Sequence, residues 1–491
     1  MILKLNIKKM KWKFKSDIKT KRNYNNFIDE AGIKQQVDEE NQKKYKQLSQ
    51  YKLKKNSENQ INNIYDESNI ESSISKLKID KNEIETIFYN NGDIYIGEMK
   101  NGLRIKGLLI HKNFGRYEGY FRDNLCHGLG REINRDGSSY MGYFNKDERE
   151  GFGIYKFNEK TKYVGEFRKN LRHGLGIYSS NGNEYKGEFN NDYLEGIGEL
   201  SYYNGDKYEG QFKMNSKNGL GIYHYKNNET YLRYEGNFIN DKKDGKGRLY
   251  YKNGNIFDGY FKNDLKEGKG ILIYKNGDRL EVNYKNDIID GKGILSCYDG
   301  SNYEGDYKNG LKDGIGTFQL DSKNKYEGEF KNDLAEGYGI FYNDNGTKFE
   351  GNFKNNLEGK GKLFYKDGSV LEGHFKNGII IDKGTYYYNN GNRYTGDFNN
   401  NIIEGNGILL FKDNRIYEGE FKNGLIDGKG TLNFPNGDKY VGDFKSELMD
   451  GEGIYYFNNG NKMVGKYSKG EATGVHILIK SNGETEKKIF K

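Results

Sequence analysis

The chain has 491 residues, of which 67 are Gly, 43 are Tyr, 28 are Phe and one is Pro. Abundant glycine without proline excludes a collagen-like chain, and an aromatic fraction of 15% excludes a disordered polymer. The net charge of +8 resides in residues 1–22, which hold nine Lys or Arg and one acid, so the rest of the chain is neutral overall. A hydrophobic fraction of 34% predicts a thin, extended structure built of strands.

Residues 1–22 form a basic amphipathic segment. Placed on a helix, five apolar residues fall on one stripe: Leu3, Ile7, Met10, Phe14 and Ile18. That layout is typical of an interfacial anchor, although a strand with Trp12 alternating against lysines fits nearly as well. Three roles stay open: contact with an acidic membrane surface, contact with an acidic protein partner such as a tubulin tail, or no contact. The candidate contact residues are Lys4, Lys8, Lys9, Lys11, Trp12, Lys13, Phe14 and Lys15.

Residues 23–83 are rich in Asn, Lys, Ser and Glu. We expect a partly helical or disordered linker that folds over the first edge of the following sheet. No stretch of about 20 apolar residues is present, and lysines interrupt the start of the chain where a secretion signal would be apolar. The two cysteines, Cys126 and Cys297, give no disulfide framework. These features predict a cytoplasmic protein.

From Tyr95 onward a unit of 22 or 23 residues repeats, with one unit of 26 residues. Seventeen units open at residues 95, 117, 140, 163, 185, 208, 234, 257, 280, 303, 326, 349, 371, 394, 417, 440 and 463. Counting the opening residue as position 0, position 0 is most often Tyr, position 2 is Gly and position 4 is aromatic. Positions 11 and 13 are usually Gly, and an Asn-Gly turn follows. Alternation at both ends of the unit predicts a β-hairpin.

The register follows from keeping the apolar positions on one face. The Asn-Gly connection between units requires an odd number of loop residues, which predicts a three-residue loop closed by glycine. The connection inside the unit requires an even number, and a four-residue loop places position 4 opposite 11, 2 opposite 13 and 0 opposite 15. The other face is charged, and Lys429 is expected between Glu420 and Asp443.

This register predicts a row of aromatic residues across the sheet. Two interpretations stay open: the rings form a groove that receives a partner segment, or they only cover the glycine backbone. The candidate row consists of Tyr117, Tyr140, Tyr163, Tyr185, Tyr208, Tyr234, Tyr303, Tyr326, Tyr394, Tyr417 and Tyr440.

The pattern Tyr-x-Gly-x-Phe, then Gly-x-Gly, then Asn-Gly before the next Tyr closely resembles the MORN (membrane occupation and recognition nexus) repeat. The resemblance covers residues 84–486 and leaves 487–491 as a tail. It implies an all-β fold: an elongated, open-ended, single-layer antiparallel meander of about seventeen hairpins, twisted or curved, with a shallow groove lined by aromatic residues and glycine. Family members include junction proteins, ciliary spoke-head proteins and cytoskeletal scaffolds, and some carry a separate catalytic domain.

Nothing in this sequence is left over for catalysis. Residues 1–83 are too few and too polar for a kinase or methyltransferase domain, and the Gly-x-Gly pairs lead into strands and lack the Ser or Thr of a phosphate loop. We therefore expect no catalytic residue, cofactor, metal or nucleic-acid partner. The sequence predicts a non-enzymatic scaffold of the cytoskeleton, cilium or membrane-associated cortex. The alternative is a regulatory or targeting subunit that brings an enzyme to acidic phospholipid membranes.

The end of the array departs from the repeat. The last unit opens with Met463 and has His476 at the second Gly position, and an apolar alternation follows through Val475, Ile477 and Ile479. A sheet that does not close leaves an unpaired edge strand, and such edges pair with other chains. We expect an antiparallel homodimer through the C-terminal units, from about Tyr417 onward.

Overall fold

The computed structural model describes residues 84–356 and 358–491, together with Ser72. The predictions for residues 1–22 and, apart from Ser72, for residues 23–83 therefore lie outside the described residues. The elements of the described chain are thirty-six β-strands. They are β1 (Ile84–Phe88), β2 (Ile94–Lys100), β3 (Leu103–His111), β4 (Gly115–Arg122), β5 (Leu125–Asn134), β6 (Ser139–Asn145), β7 (Glu148–Asn158), β8 (Thr161–Arg168), β9 (Leu171–Ser180), β10 (Asn183–Asn190), β11 (Tyr193–Ser201), β12 (Lys207–Lys213), β13 (Ser216–His224), β14 (Tyr231–Ile239), β15 (Lys242–Tyr251), β16 (Ile256–Lys262), β17 (Leu265–Ile273), β18 (Arg279–Lys285), β19 (Ile288–Ser296), β20 (Asn302–Lys308), β21 (Leu311–Gln319), β22 (Lys325–Lys331), β23 (Leu334–Tyr342), β24 (Lys348–Phe353), β25 (Glu358–Phe364), β26 (Val370–Lys376), β27 (Ile379–Tyr387), β28 (Arg393–Asn399), β29 (Ile402–Leu410), β30 (Ile416–Lys422), β31 (Leu425–Asn433), β32 (Lys439–Lys445), β33 (Leu448–Tyr456), β34 (Lys462–Ser468), β35 (Glu471–Ile479) and β36 (Thr485–Phe490).

The described strands form two compact parts of the chain, which we call the N-terminal unit and the C-terminal unit. Each of them contains many of the 22- or 23-residue repeat units. The N-terminal unit ends at Lys275 and also contains Tyr284–Asp287, and the C-terminal unit contains Asn276–Asn283 and Ile288–Lys491. Within the N-terminal unit, β1 to β17 pair consecutively, and within the C-terminal unit β19 to β36 do the same, always antiparallel. The predicted all-β meander of stacked hairpins is confirmed. The last strand ends at Phe490, so residues 487–490, which the sequence assigned to a tail, belong to the sheet.

The unit that opens at Tyr417 shows how the repeat builds a hairpin. Tyr417 pairs with Leu432 and Gly419 with Gly430, which confirms the predicted pairing of position 0 with 15 and of 2 with 13. The next hairpin follows the same register, because Gly430 also pairs with Gly442. Alternation in the sequence therefore determines which side chains share a face.

The connection inside the unit differs from the prediction. The four-residue loop and the pairing of position 4 with 11 are wrong: Phe421 pairs with Ile426, at position 9, and a two-residue turn remains. Asn423 and Gly424 have φ of 51° and 85°, the left-handed pair that a type I′ turn requires. A bulge after Gly419 takes up two residues, so the faces stay in step although the loop is shorter.

The connection between units is the predicted three-residue loop. The backbone N–H of Phe434 donates to the carbonyl of Asp438 at 2.9 Å, and that of Gly437 donates to the carbonyl of Phe434 at 3.0 Å. Gly437 has φ of 89°, and the only proline, Pro435, occupies the second position of the turn, where its fixed φ fits. The Asn-Gly signal in the sequence thus marks this turn correctly.

Candidate functional site

The predicted tyrosine row lies in the interior of the sheet. All eleven tyrosines are at most 3% exposed. The Tyr417 ring covers Gly419 and Gly430, so that a Cβ atom on Gly430 would lie 2.3 Å from the Tyr417 hydroxyl oxygen. This hydroxyl donates to the carbonyl of Glu420 at 3.0 Å, and burial raises its pKa. The rings match the interpretation in which they cover glycine backbone, and they present no ring face to a partner.

The aromatic residues at position 4 join the tyrosines of neighbouring repeats into edge-on stacks, which are interrupted where position 0 is Leu280 or Leu371. Phe421 packs edge-on against Tyr417 of its own unit, with ring centroids 5.2 Å apart, and against Tyr394 of the preceding unit at 4.8 Å. Pairs of this geometry contribute about 0.5–1.5 kcal/mol beyond the area that they bury. The stacks therefore couple neighbouring hairpins. We call the side that carries positions 0, 2, 4, 9, 13, 15 and 17 the aromatic face.

Position 9 adds a row to the aromatic face that the sequence analysis missed. In the N-terminal unit this row is largely cationic, and it consists of Arg104, Cys126, Arg149, Arg172, Leu194, Lys217, Lys243 and Lys266. In the C-terminal unit the corresponding residues are mostly apolar, as at Ile380, Ile403, Ile426 and Met449. The two units therefore have aromatic faces of different chemistry. The predicted four-residue loop contained position 9, which concealed its pairing with position 4.

Lys217 illustrates how a cation is held in this row. Its Nζ lies 5.1 Å from the ring centroid of Tyr223, 5.7 Å from that of Tyr208 and 3.9 Å from Oδ1 of Asp241. The side chain is 12% exposed, and burial lowers the pKa of the ammonium. Cation–π attraction and the aspartate offset part of the desolvation cost. The ammonium thus serves the packing of the sheet.

Aromatic residues at position 17 form the strip of the aromatic face that reaches solvent. Apart from Phe157, which is 40% exposed, all of them are half-buried. In the N-terminal unit they include Tyr202, Tyr225, Tyr251 and Tyr274, and in the C-terminal unit Tyr388, Phe411, Phe434 and Phe457.

The opposite side of the sheet, the charged face, carries regular ion pairs. Lys429 Nζ lies 2.8 Å from Oδ1 of Asp443, as predicted, whereas Glu420 instead covers the bulge residue Gly428. The same pairing of positions recurs between Lys292 and Asp306 at 3.0 Å. Because the lysines are exposed to solvent, these pairs add little to the stability of the sheet.

The three residues predicted for a dimer interface lie on the charged face of β35. Val475 is 53% exposed and Ile477 is 48% exposed, while Ile479 is half-buried. Val475 pairs with Ile489 of β36, which is 73% exposed. In the described chain β36 has a hydrogen-bonded partner on one side only. An apolar patch of Val475, Ile477 and Ile489 thus lies beside an edge strand, and we call it the terminal patch.

The described residues contain no group of three or more His, Cys, Asp or Glu side chains placed to hold a metal ion. Among the described residues, no helix is long and apolar enough to span a membrane. Cys126 and Cys297 are free thiols, and burial raises the pKa of both, which keeps them protonated at neutral pH.

Comparison with known proteins identifies the repeat. The family model of the MORN repeat matches fifteen segments, and the units that open at Tyr95 and Met463 lie outside them. The matched segments are 117–139, 140–161, 163–184, 185–207, 208–230, 234–256, 257–279, 283–302, 303–325, 326–348, 349–370, 372–393, 394–414, 417–439 and 440–462. No curated protein matches the chain.

Solved structures with some likeness include the TCP domain of Drosophila melanogaster SAS-4 in complex with a proline-rich motif of Ana2. It is 17% identical, with 32% of this chain and 86% of that chain covered and a TM-score of 0.22. The wild-type TCP10 domain of Danio rerio CPAP is 9% identical, with 45% of this chain and 99% of that chain covered and a TM-score of 0.27. With TM-scores below 0.5, neither likeness says anything about the function of this chain.

Proposed function

This chain belongs to the MORN-repeat family, and we propose that it is a non-enzymatic scaffold or adaptor of the cytoskeleton, cilium or membrane-associated cortex. The observation that carries the proposal is that stacked hairpins fill the described chain from Ile84 to Phe490. Such an array offers long rows of equivalent side chains to protein partners.

Affinity purification of the tagged full-length chain from native cells tests this proposal. The expected result is that cytoskeletal structural proteins dominate the recovered material. Recovery of one enzyme in stoichiometric amount would support a regulatory or targeting subunit instead. Lipid-kinase or methyltransferase turnover by the purified chain would overturn the non-enzymatic proposal.

A second candidate function, delivery of a partner to acidic phospholipid membranes, is favoured by the charge of residues 1–22. Nine Lys or Arg and one acid in this segment account for the whole net charge of the chain. A basic amphipathic segment gains electrostatic energy at an anionic surface, and salt screens that gain. The candidate contacts remain Lys4, Lys8, Lys9, Lys11, Trp12, Lys13, Phe14 and Lys15.

We expect the full chain to sediment with anionic vesicles at low salt and to dissociate as salt rises. A chain that begins at Asn23 should remain in the supernatant, because the remaining residues are neutral overall. Neutral vesicles serve as the control. Equal sedimentation of both chains with anionic vesicles would assign lipid binding to the sheet and contradict this prediction.

We also propose a homodimer through the C-terminal end of the sheet. The terminal patch and the one-sided pairing of β36 support it, because exposed apolar residues beside an edge strand favour addition of a second strand. An antiparallel pairing of two β36 strands would also bring the two patches together.

Ile477→Lys is expected to convert the dimer to a monomer in light scattering at tens of micromolar, because the substitution places a charge in the patch. Ile408→Lys is the matched control: it has the same position in an earlier unit and is similarly exposed, at 45% against 48%. A chain that ends at Ile416 should also be monomeric. A monomeric mass for the unmodified protein would refute the dimer, and a dimer that survives the truncation would place the interface elsewhere.

A further inference from the structure

The last unit replaces the tyrosine ring with an imidazole from the other strand of the hairpin. In the unit that opens at Tyr440, the tyrosine ring covers Gly442 and Gly453. In the last unit position 0 is Met463, and the ring that covers Gly465 belongs to His476: a Cβ atom on that glycine would lie 2.3 Å from His476 Cδ2. The imidazole at position 13 therefore compensates for the missing tyrosine ring at position 0.

His476 completes the aromatic stack at its C-terminal end. Its ring lies edge-on to Tyr467, at 5.1 Å between centroids, and to Phe490 of β36, at 5.0 Å. Tyr440 has the same environment, with Phe444 at 5.2 Å and Tyr467 at 5.0 Å. The contact with His476 is thus part of what holds β36 on the sheet.

The imidazole differs from a tyrosine ring in its hydrogen bonding. The Tyr440 hydroxyl donates to the carbonyl of Asp443 at 3.2 Å, whereas neither Nδ1 nor Nε2 of His476 has a hydrogen-bond partner. The His476 side chain is fully buried. A charged imidazole in this place would have two buried N–H donors without acceptors, which is costly.

The groups around His476 do not compensate for a positive charge. On β36, Lys488 lies directly opposite His476, and Glu486, on the same face, pairs with this lysine through Nζ and Oε1 at 2.5 Å. On β34, Tyr467 presents a buried hydroxyl without a partner, and from β33 Glu452 favours the charged form. The effect of burial is larger than the attraction of Glu452, and the pKa of the imidazole therefore lies below its ordinary value.

We propose that His476 makes the C-terminal end of the sheet acid-sensitive: when the imidazole takes up a proton it leaves the aromatic stack, and β36 separates from β35. A histidine that stays neutral in the folded chain stabilises it fully above its unfolded pKa of 6.5, and this stability declines as the pH falls below 6.5. Because Ile489 of the terminal patch lies on β36, acid would also dismantle the proposed dimer interface, a consequence that rests on the proposed function.

Hydrogen exchange of the full-length protein at about pH 7.5 and about pH 5.5 tests this inference, after correction for intrinsic exchange rates. Opening of β35 and β36 is expected to increase by up to about tenfold for each pH unit below 6.5, while β30 and β31 remain protected. His476→Phe keeps a ring without nitrogens and should abolish the pH dependence. His127→Gln, on the charged face of an earlier unit, should leave it unchanged.

Protection of β35 and β36 that is independent of pH in the unmodified protein would overturn the proposal, as would an unchanged pH response in His476→Phe. If His476→Phe frays at both pH values, a histidine NMR titration of the unmodified protein decides. If His476 takes up a proton while the β36 amides stay protected from exchange, the inference is refuted. A monomeric protein with acid-sensitive β36 would refute the dimer alone, because the exchange measurement does not depend on association.

Discussion

Replacing Tyr417 by alanine is expected to unfold the hairpin of β30 and β31 and to lower its local stability by about 3–5 kcal/mol. The ring fills the space above Gly419 and Gly430 and packs against Phe421 at 5.2 Å and Phe444 at 5.0 Å. Neither Gly419 nor Gly430 has a side chain of its own that could fill that space. Since each hairpin is stabilised by its neighbours, the loss should extend into adjacent units.

Hydrogen exchange resolved by strand is the appropriate measurement, because an array of this kind need not unfold in one step. Tyr298→Ala is the matched control, since that ring is 80% exposed in a turn, and we expect no change there. Tyr417→Phe should cost about 1 kcal/mol, the value of one hydrogen bond. Phe257, which occupies position 0 and is fully buried, shows that a phenyl ring fits. Protection of β30 and β31 that survives Tyr417→Ala would contradict the covering role.

Much of the fold follows from the sequence because the alternation of large and small residues has only one consistent register. Tyr417 must face the same side as Gly419 and Leu432, and the observed pairs agree. The three-residue turn at Gly437 was predictable for the same reason, because parity required an odd loop and glycine permits the positive φ.

The connection inside the unit was not predictable from parity alone. A two-residue turn with a bulge and a four-residue loop without one both keep the faces in step, so alternation does not distinguish them. The Asn-Gly pair at Asn423 and Gly424 was the available signal, since two consecutive residues with positive φ favour a type I′ turn. That error concealed the row at position 9 and with it the difference between Lys217 and Ile426.

The site could be predicted only in part, because exposure depends on packing between units. The sequence identified the tyrosine row but left its exposure open, and burial is decided by the rings at position 4 of the next unit, as Phe444 shows for Tyr417. The exchange of roles between Met463 and His476 likewise required the structure, since it depends on which strand supplies the ring.

The exchange between Met463 and His476 motivates the last prediction. A side chain at position 13 is accepted in the last unit, one of the three whose position 0 carries no ring, which suggests that the tyrosine ring excludes it where a ring is present. At Gly430 the three atoms nearest to an added Cβ all belong to the Tyr417 side chain, at 2.3–2.5 Å. Gly430→Ala is therefore expected to destabilise the hairpin by about 1–3 kcal/mol, the usual cost of overpacking.

In a chain that already carries Tyr417→Ala, the added Gly430→Ala should cost nothing and should stabilise by up to about 1 kcal/mol, because alanine restricts the unfolded chain. Gly419→Ala is the matched control. An added Cβ there would lie 2.5 Å from the Gly430 Cα, from the Lys429 carbonyl oxygen and from the Tyr417 hydroxyl oxygen. Because the two backbone contacts remain when the ring is removed, Tyr417→Ala should not rescue Gly419→Ala. Hydrogen exchange resolved by strand is measured for Tyr417→Ala, Gly430→Ala, Gly419→Ala and the two double variants that contain Tyr417→Ala. It gives the coupling energy of Tyr417 with Gly430 and that of Tyr417 with Gly419. Equal coupling of Tyr417 to both glycines would show that close approach of the strands, and not the tyrosine ring, excludes side chains at position 13.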